Sequence, residues 1–324
     1  MTLKTSAMIA SIAAEGQRTT PAPFGHTLSR IARDRPEIVG MTADLGKYTD
    51  LHVFAAEHPG RYYQMGMAEQ LLMGAAAGMA REGFTPFVTT YAVFAARRAY
   101  DFIFMAIAED RLPVKIICAL PGLTTGYGPS HQATEDMAIF RGMPNLTILD
   151  PCDATEIEEA TEAVVDHPGP VYMRLLRGNV PRVLDACSGR FQVGRARQLR
   201  DGADVLFISS GLMTMRALEA AEALAADRID VGVLHLATIK PLDLPAILSA
   251  ITRPGRLVVI AENHSVIGGL GEAVLSQVAL SGLTARLRHI GLPDAFLDAG
   301  ALPTLHDRYG ISTRALVTKV KSWL

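Results

Sequence analysis

Gln64-Met65-Gly66-Met67-Ala68-Glu69-Gln70 runs into Leu71-Leu72-Met73-Gly74-Ala75-Ala76-Ala77-Gly78-Met79-Ala80, and the reading of this stretch decides how the chain is organised. One carboxylate, Glu69, stands at the mouth of a segment that carries no further charge until Arg81. The composition predicts a helix, and Gly74 and Gly78 among alanines suit close approach of a second backbone. A helix that is apolar all round is buried, here against its own domain or against another subunit. Glu69 has two local readings: a charge favoured by the helix dipole, or a buried acid with chemistry to perform. Local spacing leaves both open.

On either side of this helix, short apolar strands alternate with helices. Strands are expected at Glu37–Thr42, Phe84–Thr90, Val114–Leu120, Leu146–Leu149 and Val171–Leu175, and helices at Phe24–Arg35, Tyr91–Ala108 and about Thr134–Arg141. Asp153, just beyond Pro151, is a candidate helix N-cap. From Asn179 to Gly202 the texture changes. Phe191–Leu199 alternates and ends at Asp201-Gly202, so it reads as an exposed strand joining two domains. A second unit follows, with strands at Val205–Ser209, Val231–Leu236 and Arg256–Glu262 and helices at Met213–Ala226 and from about Glu272. The expectation is an α/β fold of two domains, each a mostly parallel sheet with helices on both faces. The proposed division is a tail over 1–20, a first domain over 21–185 and a second over 190–324. Ligands of such sheets bind at the carboxyl ends of strands. Asp44, Tyr91, the Gly122–Gly128 loop and Arg177 all fall there, at four different βα junctions.

The length of 324 residues suits about two domains. A hydrophobic content of 49% with 20% charged residues is that of a well-buried globular protein. The net charge of −2 gives no reason to expect nucleic acid or an anionic membrane surface as partner. Cys118, Cys152 and Cys187 show no paired spacing, which fits a reducing, cytoplasmic setting, and Cys118 lies in an apolar run as core. Ala7–Ala14 is short and thinly charged for a secretion signal and reads as a helix or loose tail. No apolar run reaches 18 residues, so nothing in the sequence suggests a membrane span.

Gly268-Gly269-Leu270-Gly271 between a strand and a helix imitates a dinucleotide fingerprint, but its glycine spacing is wrong and no acidic residue ends a strand some twenty residues on. A tight turn explains it, and Glu262 with His264 reads as a polar interface pair. His131, after a glycine-rich loop, is either a substrate contact or a solvated loop residue. No second ligand at metal-binding spacing accompanies it, and no metal ligand is assigned in this chain. His26, His52, His58 and His167 read as surface. Arg174 and Arg177 follow a buried strand, either as a phosphate or carboxylate clamp or as basic surface residues.

Taken together, Met67-Ala68-Glu69-Gln70, then Tyr91-Ala92-Val93-Phe94-Ala95-Ala96-Arg97-Arg98-Ala99-Tyr100-Asp101, then Gly128-Pro129-Ser130-His131-Gln132-Ala133-Thr134-Glu135-Asp136 closely resemble the transketolase family. Ala43-Asp44-Leu45 before them and Arg177-Gly178-Asn179-Val180-Pro181 after them fit in order and interval. The likeness covers about residues 22 to 320 and corresponds to the pyrimidine-binding and C-terminal domains. The resemblance implies a thiamine-diphosphate-dependent transfer of a two-carbon ketol unit from a ketose phosphate to an aldose. By match, Glu69 bonds the cofactor's aminopyrimidine and makes its amine basic. Phe94 and Tyr91 stack on that ring, and Arg97 stands where deoxyxylulose-phosphate synthases carry arginine. Asp44 orders the cofactor pocket or the interface. His131 meets substrate oxygens, with Tyr127 beside it, and Arg177 binds a terminal anion.

The pyrophosphate and Mg2+ site of this family, a Gly-Asp-Gly…Asn motif, lies in an N-terminal domain and does not occur in these 324 residues. The chain therefore looks like the C-terminal subunit of a split transketolase, needing an N-terminal subunit in a heterotetramer with two copies of each. Two departures bear on substrate. Tyr127 stands where transketolases commonly carry an acid, and Ala119 and Leu120 stand where relatives place a histidine or arginine. A branched, deoxy or otherwise modified ketose phosphate is the expected substrate class. The competing readings are the β subunit of a 2-oxoacid dehydrogenase and a non-catalytic partner of the same fold.

Overall fold

The computed structural model describes residues 12, 13, 16–187 and 189–324, so most of the expected tail lies outside the described residues. The first half runs β1 (Thr19–Pro21), α1 (Pro23–Ala32), β2 (Ile38–Thr42), α2 (His52–Glu57), β3 (Tyr62–Gln64), α3 (Glu69–Arg81), β4 (Thr85–Tyr91), α4 (Ala92–Arg98) and α5 (Tyr100–Phe102). It continues through β5 (Lys115–Ala119), α6 (Asp136–Arg141), β6 (Thr147–Leu149), α7 (Ala154–Val165), β7 (Val171–Leu175) and β8 (Asn179–Pro181). The second half runs β9 (Arg197–Arg200), β10 (Val205–Ser209), α8 (Leu212–Ala225), β11 (Val231–His235), β12 (Thr238–Lys240), α9 (Leu244–Ile251) and β13 (Leu257–Ser265). It ends with α10 (Leu270–Leu280), β14 (Arg286–Leu292), α11 (Leu302–Arg308) and α12 (Thr313–Trp323). None of these helices is long and apolar enough to cross a membrane.

The α/β architecture is the expected one. One sheet has the strand order β12-β6-β7-β5-β4-β2-β3 and is parallel apart from β12. The other has the order β14-β13-β10-β11-β9 and is parallel apart from β9. Neighbouring Phe87 and Val88 on β4 face opposite cores, the period of two that a doubly covered strand requires. On one face, Phe24 and Leu28 of α1 and Ile157 of α7 meet Ile38, Phe87 and Val171. On the other, Leu72 and Met73 of α3 pack on Val39, Val88 and Ile116, and this core continues into Ile208, Leu234 and Ile260 of the second sheet. The far face of that sheet is covered by α8, α11 and α12.

Several local expectations need correction. The Tyr91–Ala108 helix is broken into α4, α5 and a π-helical turn over Ile103–Ala108. The exposed strand expected at Phe191–Leu199 shrinks to β9, which is an edge strand of the second sheet. β12 leaves the second domain and adds to the edge of the first sheet against β6. β14 was illegible because its charged residues alternate along an exposed edge. Asp153 caps α7 by accepting from Glu156 N at 2.8 Å, as expected. The glycine turn before α10 leaves no room for a dinucleotide phosphate. The Glu262 carboxylate accepts from Leu270 N and Gly271 N at 2.6 and 2.8 Å, so a side chain of the protein already holds that helix N-terminus. His264 joins the domains by accepting from Ala138 N at 3.2 Å. His58 and His167 are half-buried and hydrogen-bonded to Ser29 O and Thr147 Oγ1, not surface residues.

Arg174 is neither surface nor ligand clamp. It is 1% exposed and donates to Asp136 at 2.9 Å, to Asp150 at 3.1 Å and to the Asn263 carbonyl at 2.9 Å. Asp150 also accepts from Ser210 Oγ at 2.7 Å. One guanidinium thus joins two buried carboxylates of the first domain to a strand of the second. Removing it leaves both acids buried without their counter-charge. Arg174→Met is expected to lower unfolding stability by about 3–5 kcal/mol, measured by chemical denaturation; a change below about 1 kcal/mol would show that the ion cluster contributes little.

Candidate active site

Glu69 is the first residue of α3 and is 3% exposed. No side chain caps that helix end, so the carboxylate sits where the helix dipole favours it. The rest of α3 is only half covered. Leu72, Met73, Ala76 and Ala77 face the core, whereas Met67 is 80% and Leu71 56% exposed. A side chain added at Gly78 would meet nothing within 4 Å. The small-residue stripe therefore lies on an open apolar face, continued by exposed Phe102 and Met105.

Arg98 Nη1 donates to Glu69 Oε1 at 3.0 Å, and its guanidinium carbon lies 3.9 Å from the Phe94 ring centroid. Phe94 and Arg98 are four apart on α4 and so share a face. A flat, N–H-donating group is thus sandwiched between a buried carboxylate and an aromatic face. Phe94 lies 5.5 Å from the His131 ring, with Tyr127 and Tyr91 at 5.3 and 6.1 Å. Tyr91 is 2% exposed and backs Phe94 at 5.7 Å, so it does not offer a free face of its own. The Tyr91 hydroxyl is buried without a hydrogen-bond partner among the described residues. Ser130 Oγ lies 2.9 Å from His131 Nδ1, which leaves Nε2 for a ligand. Burial and the nearby Arg98 charge hold the His131 imidazole below its usual range, favouring the neutral ring.

Arg97 points elsewhere. It pairs with Glu135 and donates to the carbonyls of Pro129 at 3.0 Å and Gln132 at 3.3 Å, so it braces the His131 loop. It also borders a groove of about 510 Å3 shared with Ser265, Asp294 and Phe296 of the second domain. Sequence reasoning missed Arg98, although its helical spacing from Phe94 was the signal for it. Asp44 is exposed and exchanges hydrogen bonds with Gln64, at 2.7 Å through its backbone N–H and 2.9 Å through its carboxylate. Asp44 at φ 58° and Leu120 at φ 60° end strands on either side of β4, left-handed conformations that non-glycine residues seldom hold.

Arg177 lies 5.9 Å from the Tyr48 ring centroid, and its charge acts on both Tyr91 and Asp50. A distinct buried group, Cys152, Glu156 and His235, brings three possible metal ligands together. His235 Nε2 lies 2.6 Å from Glu156 and Nδ1 2.7 Å from Thr214, and Arg197 stands 3.5 Å from Glu156. With the Glu156 carboxylate facing both His235 and the Arg197 charge, this cluster reads as a buried polar contact between the domains rather than a metal site.

Burial pushes the Asp50 carboxyl up to about 6, against the opposing effects of the Gly178 N–H bond and the Arg177 charge. A raised folded-state value means that the native chain holds this proton more tightly than the unfolded one. Ionisation therefore costs stability as pH rises from about 4 through about 6, and the cost is complete above that. Asp50→Asn is expected to be more stable than the native chain at pH 7.5 by about 1–3 kcal/mol. The difference should shrink as pH falls through 6 towards 4, which denaturation at several pH values would read.

With this geometry described, comparison with known proteins is informative. Residues 17–183 match the model of the transketolase pyrimidine binding domain, and residues 194–316 match that of the transketolase C-terminal domain. A transketolase family protein of Sinorhizobium fredii is 69% identical over 323 residues, covering 99% of this chain and 94% of its own. The 6-deoxy-6-sulfo-D-fructose transketolase subunit SqwH of a Clostridium species is 36% identical, covering 90% of this chain and 89% of its own. A structure described as "Split gene transketolase, inactive beta4 tetramer" superposes with a TM-score of 0.84 at 38% identity, over 95% of this chain and 99% of that one. On these grounds, and on the fold, the chain belongs to the transketolase family.

Proposed function

We propose that this chain is the pyrimidine-binding subunit of a split, thiamine-diphosphate-dependent transketolase. It transfers a two-carbon ketol unit from a ketose bearing a terminal anion to an aldose. The observation that carries the reading is the buried Glu69 carboxylate holding a flat N–H donor against Phe94, beside a neutral His131. That arrangement fits an aminopyrimidine, which is also flat and also offers a nitrogen to a carboxyl group. Arg98, half exposed, swings aside to admit it. When bound, thiamine diphosphate would supply the nucleophilic carbon that ketol transfer requires. Glu69 holds the ring nitrogen and handles its proton, and Phe94, backed by Tyr91, covers the ring face and keeps water out. His131 Nε2 bonds the oxygen on which charge develops. Arg177 takes the terminal anion of the sugar.

The open apolar face around Met67, Leu71, Phe102 and Met105 is the surface on which assembly depends. An N-terminal-type subunit supplies the pyrophosphate and Mg2+ site, and the working unit is a heterotetramer in the cytoplasm. A relative described as an inactive tetramer supports the expectation that this chain alone is idle. The apolar residues Ala119 and Leu120 at the end of β5 and Tyr127 in the loop favour a deoxygenated or otherwise modified ketose. The relation to a subunit acting on 6-deoxy-6-sulfo-D-fructose supports the same direction, with a sulfonate or phosphate as the anion.

Reconstitution with the N-terminal-type subunit tests the reading. Glu69→Ala is expected to lower kcat by about 10²–10⁴-fold in a two-substrate ketol-transfer assay, and His131→Ala by about 10²–10³-fold. Release of CO2 from a 2-oxoacid would favour the dehydrogenase alternative, and an active Glu69→Ala complex the non-catalytic one. Arg177→Ala should raise KM for ketoses with a terminal phosphate or sulfonate at least tenfold, with little change for the matching neutral sugar. Equal effects on charged and neutral sugars would remove Arg177 from anion binding.

A further inference from the structure

The loop from Pro121 to Gln132, which carries Tyr127 and His131, belongs to the first domain but is held by the second. Leu123 is gripped at both of its backbone polar groups. Its N–H donates to Asn263 Oδ1 at 2.9 Å, and its carbonyl accepts from His306 Nε2 at 2.8 Å. Asn263 Nδ2 also reaches the Pro121 carbonyl at 3.4 Å. Further along, Gly300 N donates to Gly126 O at 2.9 Å, and the buried Gln132 amide donates to Asp298 O at 3.1 Å and to Thr125 O at 3.3 Å. Asn263 and His306 are 2% and 3% exposed, so the bonds they make to this loop do not exchange freely with water.

Two glycines permit the contact. A side chain at Gly122 would lie 2.1 Å from the Asn263 carbonyl, and Gly122 also sits at φ 58°. A side chain at Gly126 would lie 2.0 Å from the Gly300 carbonyl. The two backbones are therefore in direct apposition, and the loop cannot shift without breaking several buried hydrogen bonds together. Behind them, Arg174 fixes the Asn263 carbonyl, so the grip is anchored in the buried ion cluster between the domains.

We propose that Asn263 and His306 are positioning residues for the reaction: the C-terminal domain sets the place of His131 and Tyr127 through the Leu123 peptide. This rests on the reading that His131 faces the substrate. Neither residue touches the reacting atoms. Their effect arises because a reacting group displaced by about 1 Å can cost on the order of 10²-fold in rate. His306 acts as a donor, since its partner is a carbonyl oxygen, and burial keeps its ring below the usual range and hence neutral.

Hydrogen exchange on the full chain reads the grip without any turnover. His306→Ala is expected to raise exchange over residues 121–132 at least tenfold while leaving β4, β5 and β7 protected. His306→Gln, whose amide can still donate to Leu123, should restore the protection. Asn263→Ala should loosen the same segment. In the reconstituted complex, His306→Ala should lower kcat about tenfold with thiamine diphosphate affinity unchanged, and His306→Gln should recover most of it. Unchanged exchange over 121–132, a kcat unmoved in an active complex, or equal losses in the alanine and glutamine variants would each overturn the proposal. A wild-type complex without ketol transfer would overturn the function proposed above, and the exchange result would still decide whether the grip exists.

Discussion

The buried Arg174 guanidinium is the interaction on which the arrangement of the two domains depends. It neutralises Asp136 and Asp150, both of which lie where water cannot compensate their charge. Asp136 begins α6, directly after the His131 segment, and Asp150 follows β6 and bonds the start of α8 through Ser210. The same arginine takes the Asn263 carbonyl, and the Asn263 side chain then holds Leu123. A single buried charge is thus connected by successive hydrogen bonds to the loop that carries the candidate substrate histidine. A shared hydrophobic core from Leu72 through Ile208 to Ile260 makes that alignment rigid.

This arrangement gives the C-terminal domain a physical role beyond assembly. Its sheet carries none of the candidate site residues, yet it abuts the His131 loop through Asn263, Asp298, Gly300 and His306. The first domain brings Glu69, Phe94 and Arg177 to the carboxyl ends of its strands. The second limits where the His131 loop of that site can be. At α3 a complementary division is visible: one face is locked in the core, and the other, with Leu71 and the preceding Met67, is exposed.

The two adjacent arginines of α4 show how little a local match resolves. Arg97 stands where deoxyxylulose-phosphate synthases carry arginine, but its guanidinium turns towards Glu135 and the carbonyls of the His131 loop. Arg98, one residue on and rotated by a helical step, meets Glu69 and stacks on Phe94. The two share composition and neighbourhood and differ only in the face of the helix they occupy. Their contacts differ accordingly: one braces a loop, the other bridges a buried carboxylate and an aromatic ring.

The alternation of the buried parallel strands with helices, the α/β class and the candidates Glu69, Phe94 and His131 were legible in the sequence. Buried parallel strands must be short apolar runs, and an isolated acid before an uncharged helix stands out. Arg174 was misread because residue type alone cannot report that two carboxylates from distant segments converge on it. β12 was invisible, since three residues before a proline pair only because the first sheet offers a free edge. The Asn263 and His306 contacts with Leu123 span 140 and 183 residues, and no local pattern encodes a hydrogen bond over that separation. Short-range steric and hydrophobic preferences, which act along the chain, determined the elements and the chemistry they can carry. Only the tertiary structure decided which of those groups meet, because burial and charge pairing act between segments that become neighbours only on folding.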